Sequence, residues 1–544
     1  MESSFLIGID LGTTHCALAY AGAGAAVEVL EIAQLTNPGE VREETLLPSS
    51  LYLPGPLDFP VDSLALPWDP EPRWVVGRLA QKRGVENAGR LVTSAKSWLS
   101  HAGVDRTARL LPLVASEGVE KVSPVDASAR YLEHLRRAWD HRFPDAPMAG
   151  QQVLVTVPAS FDAVARELTL AAAGQAGLEG VTLLEEPQAA FYAWIDRHPD
   201  WRDRVKVGDL ILVVDIGGGT TDFTLIAVDQ HDGELALERV AVGEHILLGG
   251  DNMDLALARS LEPDLPKLDA LQFHALWHNC RAAKEKLLEP GSRSSDAPVT
   301  ILGRGTGLVG GTIKAKLRRQ DVDRVLGEGF FPAAGSSELP GRRRAGLVEI
   351  GLPFAADAAI TRHLARFLRQ PVRDGVRRGP SGLAAPTHVL SNGGVLRAGP
   401  LRERLLGVLN GWLAGEGFAP ALPLEGEDLM HAVARGAAYY GLARRGQGVR
   451  IRGGVSRTYY VGVESALPSV PGMAQPIKAL AVAPFGMEEG TSARVDGREF
   501  GLVVGEPAQF RFFSSTTRKK DAVGELIDES GAELEELSPM EVTL

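Results

Sequence analysis

Two short segments of the chain combine an aspartate with a turn of glycine and threonine. The first reads IDLGTT over residues 9–14, and the second reads VDIGGGTTD over residues 214–222. Glycine lets backbone N–H groups approach phosphate oxygens closely, and threonine hydroxyls supply further donors. Phosphate repels an aspartate at the mouth of such a turn, but the aspartate can hold a hydrated Mg²⁺ that contacts phosphate. The two segments therefore indicate a site that grips the phosphates of a nucleotide from both sides.

Each motif lies between two apolar runs, which is typical of a β-hairpin. Residues 5–9 and 17–20 flank the first turn, and residues 210–214 and 223–228 flank the second. Apolar runs separated by a Gly-containing turn predict paired strands. Two such hairpins, placed face to face, would form the walls of a phosphate-binding cleft.

The segments around the hairpins alternate between strand and helix patterns. Apolar periodicity predicts a helix over 126–141, and an apolar run predicts a strand at 153–157 that stops at Pro158. Ser160 is a candidate N-cap for a helix over 161–176. Further predicted elements are a strand at 181–184, a helix that runs through Trp194, helical structure over 252–290, a strand over 387–394, and helices over 401–412 and 428–444. This alternation favours mixed α/β domains built as two related halves.

Other segments show no such order. Residues 32–75 are rich in proline and predict an irregular insertion, and residues 291–345 are rich in glycine and arginine. A polar, Gly-rich stretch at 446–454 reads as a linker. Short alternating runs within 455–515 predict a small all-β module. The acidic tail at 524–541 is expected to be a solvated end.

Composition narrows the function classes. The chain has 544 residues, of which 44% are hydrophobic and 23% charged, with a formal net charge of −12. This length allows about three domain-sized units with large cores. The negative charge disfavours general binding to nucleic acid or to an anionic membrane. We therefore expect neither nucleic acid nor a membrane among the partners.

Cysteine usage and the N-terminus bear on location. The two cysteines, Cys16 and Cys280, are far apart in sequence and provide no disulfide framework. No signal-peptide pattern or run of membrane-spanning length is evident. These features predict a cytoplasmic protein.

Five stretches together resemble one known family, the 70-kDa heat-shock chaperones of the actin-like ATPase superfamily. They are IGIDLGTT at 7–14, TVPASF at 156–161, EEPQAA at 185–190, DIGGGTTD at 215–222, and Gly393-Gly394 followed by Arg397. The resemblance implies an α/β, two-lobed actin-like ATPase fold with a duplicated mixed sheet over 1–445, including a variable subdomain at about 252–386. The β-rich module at 455–544 would then be the part that binds substrate.

The resemblance also implies roles for individual residues. Asp10 and Asp215 would hold Mg²⁺ through water, while Lys96, Glu186 and Thr220 would act at the γ-phosphate of ATP. Pro158 and Arg166 would relay the ATP or ADP state to the lobe surface. The implied nucleotide contacts are Gly12, Thr13, Thr14, Gly217, Gly218, Gly219, Thr221, Gly249, Gly250, Lys284, Gly393, Gly394 and Arg397.

The chain departs from the family pattern in three places. On the helix expected over the adenosine, Lys284 is kept, but Arg281 and Leu288 replace the family's Glu and Ser. The linker at 446–454 lacks the family's apolar and acidic residues. Fewer than a hundred residues follow it, too few for a β-sandwich together with a helical lid, so the chain is either a divergent member without a lid or is cut short.

Three functions remain open at this point. The first is an ATP-hydrolysing, chaperone-like protein that couples nucleotide state to binding of unfolded or extended polypeptide, with or without co-chaperones. The second is an actin-like ATPase switch or assembly protein with one dedicated protein partner, a role that the missing linker motif and lid favour. The third, a small-molecule kinase, needs a catalytic aspartate between the lobes for which the sequence offers no convincing candidate.

Overall fold

A computed structural model gives the fold. It describes residues 4–22, 24–101, 103–231, 234–302, 311–341, 352, 354–372, 375–426, 428–446, 455, 457–464, 477–487, 492–496, 500–501, 507–515, 517–528, 534–537 and 539–543.

The first lobe is built on a six-stranded mixed sheet whose centre is the first predicted hairpin. The strands of the whole lobe are β1 (Phe5–Leu11), β2 (His15–Gly22), β3 (Glu28–Val29), β4 (Ile32–Asn37), β5 (Glu40–Glu44), β6 (Leu47–Pro48), β7 (Leu51–Tyr52), β8 (Val75–Val76), β9 (Leu91–Val92), β10 (Gln152–Val157) and β11 (Thr182–Glu185). Its helices are α1 (Arg78–Glu86), α2 (Ala95–Leu99), α3 (Pro124–Arg142), α4 (Ala163–Gln175) and α5 (Glu186–Arg197). The large sheet runs β11-β10-β1-β2-β3, with β6 paired to β2.

Two predictions for this lobe are corrected. The segment 32–75 is not wholly irregular, because β4 and β5 form a hairpin and β7 joins a three-stranded sheet with β8 and β9. Proline had obscured the short strands between the turns. Ser160 is not the N-cap of α4, since Asp162 caps that helix by accepting from Ala165 N at 2.7 Å. The hydroxyl of Ser160 instead contacts the second lobe, as described below.

The second lobe repeats the plan around the second predicted hairpin. A five-stranded sheet runs β14-β13-β12-β17-β18, where β12 and β13 are antiparallel and β12 and β17 are parallel. The helices of this lobe are α6 (Trp201–Arg204), α7 (Gly250–Leu261), α8 (Ala270–Leu288), α9 (Arg319–Gly329), α10 (Ile360–Arg369), α11 (Gly399–Gly415) and α12 (Ala432–Arg444). Its strands are β12 (Leu210–Ile216), β13 (Thr221–His231), β14 (Glu234–Val242), β15 (Asp296–Leu302), β16 (Thr312–Arg318), β17 (His388–Asn392) and β18 (Leu422–Leu424).

The helical prediction over 252–290 is also corrected. The region contains two helices, α7 and α8, separated by a short 3₁₀ turn at Glu262–Asp264 and an extended segment. Pro263 and Pro266 account for the break, because proline lacks the N–H that a helix interior requires. Within 291–345, which had no clear pattern, β15 and β16 pair as a hairpin that leads into α9.

The two lobes share a buried interface between them. Helices α5 and α12 pack against each other, and α12 also covers β1 and β2. The apolar cluster there includes Phe191, Trp194, Ile211 and Tyr440, all at most 4% exposed. This duplicated α/β architecture is the two-lobed, actin-like fold that the resemblance implies.

Strands are the only regular elements among the described residues after 455. They are β19 (Thr458–Glu464), β20 (Ile477–Ala483), β21 (Pro507–Phe510), β22 (Phe512–Ser515), β23 (Leu526–Asp528), β24 (Glu535–Glu536) and β25 (Met540–Thr543). A five-stranded sheet runs β23-β20-β19-β22-β24, while β21 pairs with β25. The predicted linker at 446–454 lies outside the described residues except for Gly446.

The acidic tail differs from the solvated end that was expected. Three of its segments enter sheets as β23, β24 and β25. Glu535 pairs with Arg457, and Glu536 accepts from Arg511 Nε at 2.6 Å. The tail therefore contributes strands and ion pairs to this part of the chain. Among all described residues, no helix is both long and apolar enough to cross a bilayer.

Candidate functional site

The two Gly/Thr turns meet across the cleft between the lobes. A Cβ atom added to Gly218 would come within 2.3 Å of Thr14 Cγ2, and one added to Gly219 within 2.9 Å of Thr13 Cγ2. Glycine is required here because the opposing turns leave no room for a side chain. The cavity at this end, called the phosphate end below, is lined by Asp10, Gly12, Thr13, Thr14, His15, Lys96, Glu186, Asp215, Gly217, Gly218, Thr220, Asn392, Gly393 and Gly394, among others.

The two predicted metal aspartates occupy equivalent places in the two lobes. Asp10 lies near the end of β1, and Asp215 near the end of β12. Burial raises the pKa of Asp10 to about 7 although Lys96 opposes the shift. Burial, reinforced by Glu186, also raises the pKa of Asp215 well above its usual range. Buried carboxylates of this kind favour a nearby cation, which would restore their ionised form.

The surroundings of Asp215 fit a hydrated divalent cation. Asn392 donates from Nδ2 to Asp215 Oδ2 at 2.8 Å, while its buried Oδ1 has no hydrogen-bond partner among the described residues. Nowhere among the described residues does a group of three or more His, Cys, Asp or Glu side chains lie close enough together to hold a metal directly. The donor set thus suits Mg²⁺, which keeps several waters and needs only one or two carboxylates.

Lys96 and Glu186 form an ion pair at the floor of the phosphate end. Lys96 is on α2, and Glu186 is the first residue of α5, so the pair joins two helices of the first lobe. Burial lowers the pKa of Lys96, but the carboxylates of Glu186 and Asp10 outweigh this effect and raise it. Lys96 therefore presents a positive charge beside Glu186 and Asp10.

The residues of the implied relay lie directly beneath this pair. Glu185 precedes Glu186 and accepts from Arg166 Nη2 at 2.9 Å, and it also pairs with Arg239 of β14. Arg166 donates from Nε to Phe161 O at 3.2 Å, in the loop that begins at Pro158. Sequence analysis had not assigned Glu185 or Arg239 to this connection.

The far end of the cleft, called the α8 end below, contains a compact ion-pair cluster. Arg281 of α8 binds Asp254 of α7 at 2.8 Å and also pairs with Asp251, while Lys284 lies 2.7 Å from the other oxygen of Asp254. Asp254 is 1% exposed. Two cations and two carboxylates thus neutralise each other inside the wall of the cleft. Lys284, Arg397 and Gly250 line the adjoining cavity, and Arg397 is exposed.

Three of the expected nucleotide contacts, Gly219, Thr221 and Gly249, are not among the residues that line the two cavities of the cleft. Thr221 is buried, and its hydroxyl donates to Leu248 O at 2.7 Å, so it stabilises the second turn from behind. Gly249 packs under the same turn, where an added Cβ would lie 2.6 Å from Gly217 O. Their motif neighbours line the cavity, and the sequence alone could not separate the two roles.

A polar chain at the side of the phosphate end went unpredicted. Ser160 Oγ lies 2.5 Å from Asp222 Oδ1 and 2.6 Å from His245 Nδ1, and His245 Nε2 lies 2.9 Å from Ser100 Oγ. Burial raises the pKa of Asp222 to about 7 and lowers that of His245 to about 4. The four residues are far apart in sequence, so no local signal could have brought them together.

Comparison with known proteins agrees with this geometry. The family model described as Hsp70 protein matches residues 75–325. A chaperone protein HscA homolog of Azotobacter vinelandii is 32% identical over 308 residues, covering 53% of this chain and 42% of the relative. The homologs of Cupriavidus necator and Bordetella pertussis are 32% and 30% identical over 54% and 60% of this chain, and 43% and 47% of their own lengths.

The matched part thus spans less than half the length of these relatives. The family-model match at 75–325 includes the second Gly/Thr turn, Lys96 and Glu186, which the structure places at one end of the cleft. The two-lobed fold, the family-model match at 75–325 and these relatives together show that this part of the chain is similar to Hsp70 proteins.

Proposed function

We propose that the chain is an ATPase that binds Mg·ATP between its lobes and hydrolyses it to ADP and phosphate, with weak intrinsic activity. The observation that carries this proposal is the convergence of Asp10, Asp215, Lys96 and Glu186 on the cavity between two Gly/Thr turns. The relatives named above are called chaperones, which supports an ATP-dependent activity.

The chain's own residues suit phosphoryl transfer to water. Backbone N–H groups and hydroxyls of the two turns would bind phosphate oxygens, and Lys96 would offset the charge that develops on the γ-phosphate. Glu186, fixed by its ion pair with Lys96, would orient the attacking water. Asp10 and Asp215 would hold the waters of Mg²⁺, which when bound neutralises phosphate charge and fixes the phosphate geometry.

Gly393 allows the loop after β17 to pack tightly against the end of β12. Its φ of 85° lies in the left-handed region, and an added Cβ would lie 2.3 Å from Ile216 O. Only glycine allows the loop after β17 to approach the end of β12 at this distance. This approach keeps Asn392 against Asp215 and leaves the phosphate end open.

We further propose that nucleotide state is coupled to binding of extended polypeptide by the β strands after residue 457. Two observations support this assignment: the five-stranded sheet of short antiparallel strands, and the position of Arg166 and Glu185 between Glu186 and the lobe surface. An extended peptide can add to a sheet edge or lie across such a sheet. Co-chaperones would act on the same cycle.

ATP turnover with and without a panel of extended peptides tests both parts. We expect slow turnover that requires Mg²⁺ and increases with several unrelated peptides. Asp215→Asn serves as the control for contaminating ATPases, since it should reduce both rates. Stimulation by one dedicated protein partner only would favour a switch over a chaperone, and transfer of phosphate to a sugar would show a kinase.

A further inference from the structure

The short helix α2, which carries Lys96, has all five residues buried, from Ala95 to Leu99. A helix of this length has almost no stability of its own, so contacts around it must set its position. It belongs to the first lobe, where it packs on α3. Contacts at both of its ends nevertheless reach the second lobe.

At the N-terminal end, Ser94 connects α2 to helix α7. The Ser94 hydroxyl donates to Asp251 Oδ2 at 2.6 Å, and the other oxygen of Asp251 pairs with Arg281. Ser94 has φ 54° and ψ 28°, a left-handed conformation that is uncommon for a residue with a Cβ atom. This conformation directs the hydroxyl across the cleft toward a carboxylate that is 3% exposed.

At the C-terminal end, Ser100 connects α2 to the loop that follows β14. Ser100 Oγ lies 2.9 Å from His245 Nε2. The imidazole is fixed from its other side by Ser160, whose Oγ lies 2.6 Å from Nδ1. Ser160 also belongs to the first lobe, so His245 is held between two segments of that lobe.

The middle of α2 lies directly on the second Gly/Thr turn. A Cβ atom on Gly219 would come within 2.4 Å of Ser97 Oγ. Ser97 is 2% exposed, and its hydroxyl has no hydrogen-bond partner among the described residues. The helix therefore contacts the second lobe at its start, centre and end.

We propose that Ser94 and Ser100 are positioning residues that clamp α2 onto the second lobe, and so fix Lys96 at the phosphate end while restraining lobe opening. The pair of contacts, Ser94 with Asp251 and Ser100 with His245, is called the α2 clamp. Because nucleotide can leave the cleft only when the lobes separate, the clamp sets the rate of nucleotide release. This inference rests on the proposed nucleotide-binding function.

The test uses variants that separate the hydroxyl from the backbone. Ser94→Gly removes the donor but accepts the left-handed conformation, whereas Ser94→Asn accepts that conformation and keeps a donor. Ser100→Ala removes the second contact, and Ser100→Thr restores it. Ser128→Ala is the matched control. The buried Ser128 hydroxyl donates to Pro124 O at 2.9 Å, and this hydrogen bond stays within α3 of the first lobe.

The main measurement is the dissociation rate of fluorescent Mg·ADP from the full chain. We expect Ser94→Gly and Ser100→Ala each to speed release about fivefold, and together about 25-fold, since separate hydrogen bonds contribute additively. Ser94→Asn, Ser100→Thr and Ser128→Ala should release at the wild-type rate. A double variant with wild-type release would overturn the clamp.

A second measurement does not depend on nucleotide. Hydrogen exchange of the amides at residues 95–101 in the nucleotide-free chain should be faster in the double variant than in wild type or Ser128→Ala. If the wild-type chain binds no nucleotide, the proposed function fails and this exchange alone decides the clamp. Faster exchange in the double variant would then support it, and unchanged exchange would overturn it.

Discussion

At the phosphate end of the cleft the carboxylates of Asp10, Asp215 and Glu186 face one lysine, Lys96, among the described lining residues. At the α8 end, Asp251 and Asp254 are matched by Arg281 and Lys284. The first arrangement has more carboxyl groups than cations, and burial raises the pKa of Asp10 and Asp215. The second has equal numbers of both, although burial also raises the pKa of Asp251.

This difference separates a binding site from a structural cluster. Buried carboxylates without enough cations destabilise the ligand-free protein, and binding of a cation relieves this destabilisation. A balanced cluster has already satisfied its charges and offers little to a charged ligand. The phosphate end should therefore respond strongly to Mg²⁺ and nucleotide, while the α8 end should matter first for folding.

The largest effect is expected for Arg281→Ala, which tests the structural role of the α8 end. Arg281→Ala leaves Asp251 and part of Asp254 without their buried cation, so we expect the free energy of unfolding to fall by about 3 kcal/mol. Urea unfolding of the nucleotide-free chain measures it.

The matched control for Arg281 is Arg362, also an arginine of the second lobe. Arg362 lies 3.2 Å from Asp357, but its side chain is 35% exposed. Arg362→Ala should cost no more than about 1 kcal/mol because solvent screens such pairs. Equal costs for the two variants would mean that the buried cluster is not a structural core of the lobe.

The next prediction tests the catalytic role of the phosphate end. Lys96→Ala should lower ATP turnover about 100-fold, equivalent to roughly 2.7 kcal/mol of barrier, while Mg·ADP affinity changes much less. Glu186→Ala should likewise lower turnover much more than Mg·ADP affinity, since both groups would act at the γ-phosphate and the attacking water. Single-turnover hydrolysis and ADP titration separate the two quantities.

Lys82→Ala is the control for removal of a first-lobe lysine, because Lys82 donates to Thr36 O at 2.7 Å away from the cleft. Its turnover should match wild type. Losses of equal size in turnover and in ADP affinity for Lys96→Ala would assign Lys96 to binding alone.

A pH prediction follows from Asp222. Its folded pKa of about 7 exceeds the ordinary 3.8, so the folded state binds the extra proton between these values. The stabilisation from that proton is complete below about pH 4 and is lost as pH rises through about 7. Asp222→Asn cannot titrate and should gain stability relative to wild type over this range, by on the order of 2 kcal/mol.

The comparison must be made between the two chains, in the absence of Mg²⁺. Buried His15 and His134, whose pKa values fall to about 4, change stability in the opposite direction as pH rises. Both chains share these histidines, so the difference in urea midpoint at pH 5 and pH 8 isolates Asp222. A difference that does not vary with pH would contradict a raised pKa at this site.

The metal aspartates give the next smaller effect. Asp10→Asn and Asp215→Asn each remove one charge that would hold the water shell of Mg²⁺, and each should cost at least about tenfold in turnover, or about 1.4 kcal/mol. The Mg²⁺ concentration for half-maximal rate should rise as well. Unchanged turnover in both variants would end the metal assignment.

The two ends of the cleft also differ in how far the sequence predicts them. The phosphate end is encoded locally, because each turn follows its aspartate within a few residues and β-hairpin pairing fixes the rest. Lys96 and Glu186 were identified through resemblance, and the structure brings them together. The alternation of strands and helices predicted α/β domains in two related halves, and the resemblance supplied the two-lobed, actin-like fold.

The α8 end could not be predicted in the same way. Arg281 is visible as a departure from the family pattern, but its partners Asp251 and Asp254 lie on another helix, and their pairing depends on how α7 packs against α8. The chain from Asp222 through Ser160 and His245 to Ser100 crosses both lobes and has no local pattern. Contacts between distant segments depend on tertiary packing, which periodicity and motifs do not describe.

The smallest expected effect concerns the choice of base. Because Arg281 and Lys284 are paired with Asp251 and Asp254, these four groups are not free to distinguish adenine from guanine. The Leu288 side chain offers the base no hydrogen bond. A site that forms few hydrogen bonds to the feature that differs cannot discriminate strongly. We therefore expect ATP to be preferred over GTP by no more than about tenfold, or 1.4 kcal/mol. Competition against fluorescent Mg·ADP measures this preference, with Leu288→Ser as the variant that restores a polar group and should raise it. A preference above about a thousandfold, roughly 4 kcal/mol, would show that other residues near α8 read the base.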